Sequence, residues 1–126
     1  SDVSIKGHLW FRRGGYVTNK GKDGVHCYCE SSRLDIDRFD RLFVPDIHRF
    51  SVRVMDAAGN ELASFGGYGN MDNRGPGSPH PEPAIAYGWP LSVRVASGRA
   101  YVADLNNRRV VAARLKAATE AFCPVP

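Results

Sequence analysis

Two stretches of this chain read as copies of one another. Asp40-Arg41-Leu42-Phe43-Val44-Pro45-Asp46-Ile47-His48-Arg49-Phe50-Ser51-Val52 aligns with Gly98-Arg99-Ala100-Tyr101-Val102-Ala103-Asp104-Leu105-Asn106-Asn107-Arg108-Arg109-Val110. Turn residue, arginine, apolar residue, aromatic, valine, small residue and aspartate coincide at a constant offset of 58, the step from Asp46 to Asp104. A fainter third copy, Gly7-His8-Leu9-Trp10-Phe11, keeps the turn glycine and the aromatic but has Arg13 where the aspartate belongs. A unit that recurs buries its apolar face against its neighbours, so the repeat constrains the fold more than any single residue does.

The periodicity inside each copy is that of strands. Leu42-Phe43-Val44 and Phe50-Ser51-Val52-Arg53-Val54-Met55 alternate, Asp56-Ala57-Ala58-Gly59-Asn60 interrupts, and Glu61-Leu62-Ala63-Ser64-Phe65 resumes, which predicts an antiparallel hairpin. Leu91 to Val95, Ala100 to Ala103 and Arg109 to Val111 are strand-like again, and Leu115 to Phe122 has helical composition. Asp35 and Asp37 alternate as solvent-facing strand residues would. Between the copies lies a Gly/Pro-rich stretch that proline excludes from a central strand, and it is expected to be a long functional loop. Repeated four-stranded units suggest propeller blades, whose usual period is about 40–50 residues, and the loop accounts for the longer spacing. The expected fold is therefore all-β, a propeller segment of two to three four-stranded blades. Its parts are a degenerate blade with a Cys-containing loop at 1–33, a blade at 34–66, the inserted loop at 67–88, and a blade with a C-terminal tail at 89–126.

Composition excludes some classes. At 43% apolar and 24% charged the chain is ordinary for a globular protein, not a disordered one. No apolar run approaches the ~20 residues of a membrane helix. Seventeen Lys and Arg against thirteen Asp and Glu give a net charge of +4, but acidic residues are interspersed through Arg33 to Asp56. Nucleic acid is thus disfavoured as a partner, since its binders usually concentrate basic residues on one stripe.

Tyr101-Val102-Ala103-Asp104-Leu105-Asn106-Asn107-Arg108-Arg109-Val110 resembles the core of an NHL repeat. Gly88-Trp89-Pro90-Leu91-Ser92-Val93-Arg94-Val95 resembles its proline-led first strand, and Val54 to Gly66 its closing hairpin. The likeness spans about residues 34 to 115; the first copy departs from it, with His48 for asparagine and Phe50 for arginine. It implies an NHL-type propeller in which Asp46, Asp104, Asn106 and Arg108 are scaffold. The aspartate would accept backbone donors of the following turn, and the arginine would fork onto an adjoining strand. Phe43, Phe65, Trp89 and Tyr101 are expected in the blade core. A closed propeller needs at least four blades. The chain, which starts at Ser1 without methionine, is therefore expected to be completed by the rest of a parent protein or by other copies or chains. The family's usual setting implies an extracytoplasmic location.

His26-Cys27-Tyr28-Cys29 is the sharpest local chemical signal. Thiols at i and i+2 of an extended segment point to opposite faces, and structural zinc sites usually place two to four residues between cysteines. With Cys123 the count is odd, so at least one cysteine is unpaired within the chain, intermolecular or a ligand. A disulfide to Cys123, unpaired thiols, and a zinc or copper site completed by His26 and Cys123 are the three readings, in that order. Otherwise no cofactor is expected. His8, His48 and His80 are scattered, and Asn106 stands at the position equivalent to His48. The glycines Gly66, Gly67 and Gly69 lack the strand-to-helix context of a phosphate cradle.

These features predict a non-catalytic binding module. Loop residues Tyr68, Asn70, Asp72, Arg74, His80 and Tyr87 are expected to be exposed and to contact a protein or small-molecule ligand. The alternative is a metal-dependent lyase or hydrolase, or a redox protein, using His26, Cys27, Cys29 and Cys123.

Overall fold

The computed structural model describes residues 32–73, 76–80 and 83–116, together with the backbone of two short paired strands, β1 (Thr18–Lys20) and β2 (His26–Tyr28). Four strands, β3 (Asp35–Ile36), β4 (Leu42–Asp46), β5 (Ser51–Met55) and β6 (Glu61–Phe65), form one antiparallel meander. After β7 (Gly67–Tyr68) and β8 (Ala86–Tyr87), which pair in parallel, a second antiparallel sheet is built from β9 (Pro90–Ala96), β10 (Arg99–Asp104) and β11 (Arg109–Arg114).

The sequence repeat is a repeat of structure. Phe43 pairs with Val54, and at the same offset Tyr101 pairs with Ala112; Asp46 faces Ser51 as Asp104 faces Arg109. The turns correspond too. Asp40 and Gly98 take positive φ before the first strand of each pair, at 58° and 71°. Phe50 and Arg108 do so after the aspartate, at 53° and 50°, each donating its N–H to a carbonyl three residues back, Ile47 and Leu105. The register departs at the preceding strand, where the turn 37–41 is one residue longer than 96–99.

One face of each sheet meets the other. Phe43, Val52 and Val54 from the first sheet pack with Val93, Ala100 and Val102 from the second, and Tyr87 lies among them. Removing each such valine from water is worth about 1.5–3 kcal/mol. Tyr101, expected in this core, instead occupies the opposite, outward face of β10, because its parity in the strand is that of Arg99 and not of Ala100.

The joint between the sheets is hydrogen-bonded as well as apolar. Arg33 donates its N–H to Leu91 O and accepts from Val93 N–H, and Asp35 Oδ2 accepts from Val95 N–H at 2.7 Å. Segment 33–35 thus satisfies backbone groups along the edge of β9, which an open edge would leave to other chains. Neither Asp35 nor Asp37 is an idle solvent-facing carboxylate. Asp37 accepts the N–H groups of Phe39 and Arg41, and the Arg41 guanidinium lies 2.6 Å from its Oδ2. The described residues are nearly all β, two blade-like sheets stacked face to face and not closed into a ring: an incomplete propeller-like segment.

Candidate functional site

The inserted loop begins and ends on the second sheet's most polar corner. Asp104, at the end of β10, is 1% exposed. Its Oδ1 accepts the N–H groups of Gly88 and Trp89, both at 2.9 Å. Its Oδ2 accepts from Asn107 Nδ2 at 2.7 Å and from Arg109 Nε at 3.4 Å. A buried carboxylate is tolerable only when donors surround it, and four do so here.

Both partners reach onward to the loop. Asn107 Nδ2 also donates to Gly69 O at 2.8 Å, and Arg109 Nη2 donates to Ala86 O. Asn106 Nδ2 adds a bond of 3.3 Å to Gly88 O. The two stems are further tied by Gly67 N–H to Ile85 O and Gly69 N–H to Tyr87 O, each 3.0 Å. The glycines serve this closeness. A Cβ on Gly66, whose φ is 103°, would stand 2.5 Å from the Tyr87 ring, and one on Gly69 would stand 2.3 Å from Ala86 Cβ. In the loop glycine relieves crowding against side chains.

Beyond the stems the tip is exposed but internally bonded. Asn70 Oδ1 accepts from the N–H groups of Asp72 and Asn73, Asn73 Oδ1 accepts from Asn70 N–H, and His80 N–H donates to Asp72 O at 2.8 Å. Tyr68 is 54% exposed and meets Phe50 edge-on, with ring centroids 4.7 Å apart. Met71, three residues on, is equally exposed.

The predicted binding residues therefore divide. Tyr68, Asn70, Asp72 and His80 are exposed on the loop, while Arg74 lies outside the described residues. Tyr87 was expected to be exposed and is wholly buried, because β8 carries it inward between the sheets. Its hydroxyl has no hydrogen-bond partner. Burial pushes its phenol well above the ordinary tyrosine range, the Asp104 carboxylate adds to that, and the Arg109 guanidinium offsets part of it.

Among the motif residues, Asp46 caps the 3-10 turn Ile47–Arg49 by accepting Arg49 N–H at 3.2 Å, with His48 exposed on that turn. Arg108 is exposed at the left-handed turn position, and the neighbouring Arg109 is the arginine that reaches Asp104. Asn107 and Arg109 are the site residues that sequence reasoning passed over. Strand parity was the available signal: Val111 and Ala113 face inward, so Arg109 must as well. His26 and Cys27 fall in β2, known by its backbone alone, and Cys29 and Cys123 lie outside the described residues. Among the described residues no three His, Cys, Asp or Glu side chains gather as a metal site. No protein-family model matches the sequence, and no curated protein matches it.

Proposed function

We propose that the chain is an NHL-like propeller scaffold acting as a binding module, with the loop at 66–88 as its contact for a protein partner in an extracytoplasmic setting. The observation that carries this reading is the contrast between the loop's two ends. Asp104, Asn107 and Arg109 clamp both stems through buried charge-assisted bonds, while the tip presents Tyr68, Asn70, Met71, Asp72 and His80 to solvent. A tip already ordered by its own Asn70 and Asn73 bonds loses little entropy on binding, which favours recognition. Exposed aromatic and thioether side chains next to polar groups are common in interface centres.

The test is site-specific photocrosslinking in the source cells. A benzoylphenylalanine at position 68 or 71 should capture one discrete partner, and the same group at Leu62, equally exposed on β6, should not. Equal capture from all three positions, or none from the loop, refutes the reading.

A further inference from the structure

The arginines of the two sheets are treated differently. On the first sheet and its turns Arg41 pairs with Asp37, Arg53 with Glu61 and Asp46, and Arg49 with Asp46. On the outward face of the second sheet, among the described residues, only Arg94 has such a partner, Asp35 at the sheet's edge. There Arg94, Tyr101 and Ala112 form one cross-strand row, and Ala96, Arg99 and Arg114 form the next. No outward position of β9, β10 or β11 carries a carboxylate. Arg94 is 83% exposed and its nearest acid, Asp35, is 3.9 Å away at the sheet's edge.

Arg99 and Arg114 stand directly opposite one another, an arrangement in which like charges repel. Arg94 sits diagonally across from Arg99 and directly beside Tyr101. Arg94, Arg99 and Arg114 thus gather about one aromatic ring with no carboxylate on the face itself, Arg94 reaching Asp35 only at the sheet's edge, and Ala96 and Ala112 keep the face low. A local rule broken without compensation among the described residues marks a candidate contact surface.

We propose that this face docks an acidic, extended protein segment, whose carboxylates pair with Arg94, Arg99 and Arg114 across Tyr101. Charge complementarity selects the partner's sign, and spacing selects its form. Same-side carboxylates of an extended chain recur about every 6.6–6.8 Å. Cross-strand and diagonal positions on a sheet lie about 5–8 Å apart, within reach of arginine's planar fork. A nucleic-acid strand would need a longer basic track, and the adjoining row, Ser92, Ala103 and Val110, carries none. This surface lies on the blade face rather than on the loop, so the inference stands apart from the loop's role.

Fluorescence anisotropy with a labelled peptide of alternating Glu and Thr tests it, with an oligo-dT of equal charge as comparison. Saturable peptide binding is expected, weakened at least about tenfold in Arg99→Ala and in Arg94→Ala. Arg114→Glu should abolish binding and also raise the thermal midpoint, because it converts the repulsive pair into an ion pair, so misfolding is not the cause of its loss. Arg49→Ala and a Tyr68→Ala/Met71→Ala double variant should bind as the parent does, which keeps a failure here distinct from a failure of the loop reading. No saturable binding, affinity unchanged in the three face variants, or an oligo-dT complex as tight as the peptide's overturns the proposal.

Discussion

Asp104→Asn should be far more damaging than Asp46→Asn, although the two aspartates occupy the same position in the repeat. At Asp104 the substitution keeps an oxygen for Gly88 and Trp89 but turns Oδ2 into an amide that faces two donors, Asn107 Nδ2 and Arg109 Nε. With the site 1% exposed, water cannot replace the lost acceptor. Removing one partner of a buried pair in this way costs about 3–5 kcal/mol. At Asp46 the side chain is 16% exposed, its guanidinium partners are 3.8–3.9 Å away, and asparagine caps a turn as well as aspartate does. The loss there is about 0–1 kcal/mol. With a urea m-value of about 2 kcal/mol/M the midpoints should fall by about 1.5–2.5 M and by less than about 0.5 M. Urea titration followed by tryptophan fluorescence reads both. Should Asp104→Asn fail to fold, Asn107→Ala, which leaves the Asp104–Arg109 pair intact, should lower stability by about 1–3 kcal/mol. Equal midpoints for the two aspartate variants would refute the argument that burial and donor count set the cost.

Tyr87→Phe should leave stability unchanged or raise it by about 1 kcal/mol in thermal melts, since it deletes a buried hydroxyl that bonds to nothing. The raised phenol pKa has its own signature: the stability it supplies is complete below the ordinary value of 10.0 and fades as pH rises above it, so Tyr87→Phe should flatten the alkaline limb of a pH–stability curve. Gly66→Ala should cost about 2 kcal/mol or more from positive φ and the clash with the Tyr87 ring, whereas Gly98→Asn, at a φ of 71° with open space around it, should be nearly neutral by urea titration. At Asp37 burial pushes the carboxyl up, but the Arg41 side chain and the N–H groups of Arg41 and Phe39 outweigh it and hold it below the ordinary 3.8. The stability it supplies is present above that value and lost as pH falls through the lower folded one, so Asp37→Asn should be less sensitive to acid than the parent.

The strand pattern and repeat were legible because both are periodic. Offset alignment matched residues that share register and turn conformation, down to the positive φ values at Phe50 and Arg108, but not the buried face, since Phe43 points into the core and Tyr101 away from it. What could not be read was set by contacts distant in sequence. Tyr87 looks like a loop residue among its neighbours, and only the parallel pairing of β8 with β7 carries it inward. Asp35 looks like a solvent-facing strand residue, yet it caps Val95 from sixty positions away. Adjacent arginines hid the right one, because motif spacing favoured Arg108 while strand parity turned Arg109 toward the carboxylate.

The divergence between the two copies follows from what each turn has to hold. Both strand-turn-strand units share one backbone, so the backbone alone needs neither Asn107 nor Arg109, and the first copy indeed has Arg49 and Ser51 in their places. The first turn meets the insertion through the Phe50 ring on Tyr68, whereas the second lies against the stem carbonyls of Gly69 and Ala86, which need donors. Asn107 and Arg109 supply those donors, and Asp104 supplies the acceptor that holds both side chains in place. The sharper motif in the second copy therefore marks the anchorage of the loop rather than a better-made blade. This explains why the most distinctive residues of the sequence lie buried beneath the site, while those that would meet a partner, such as Tyr68 and Met71, belong to no repeating pattern.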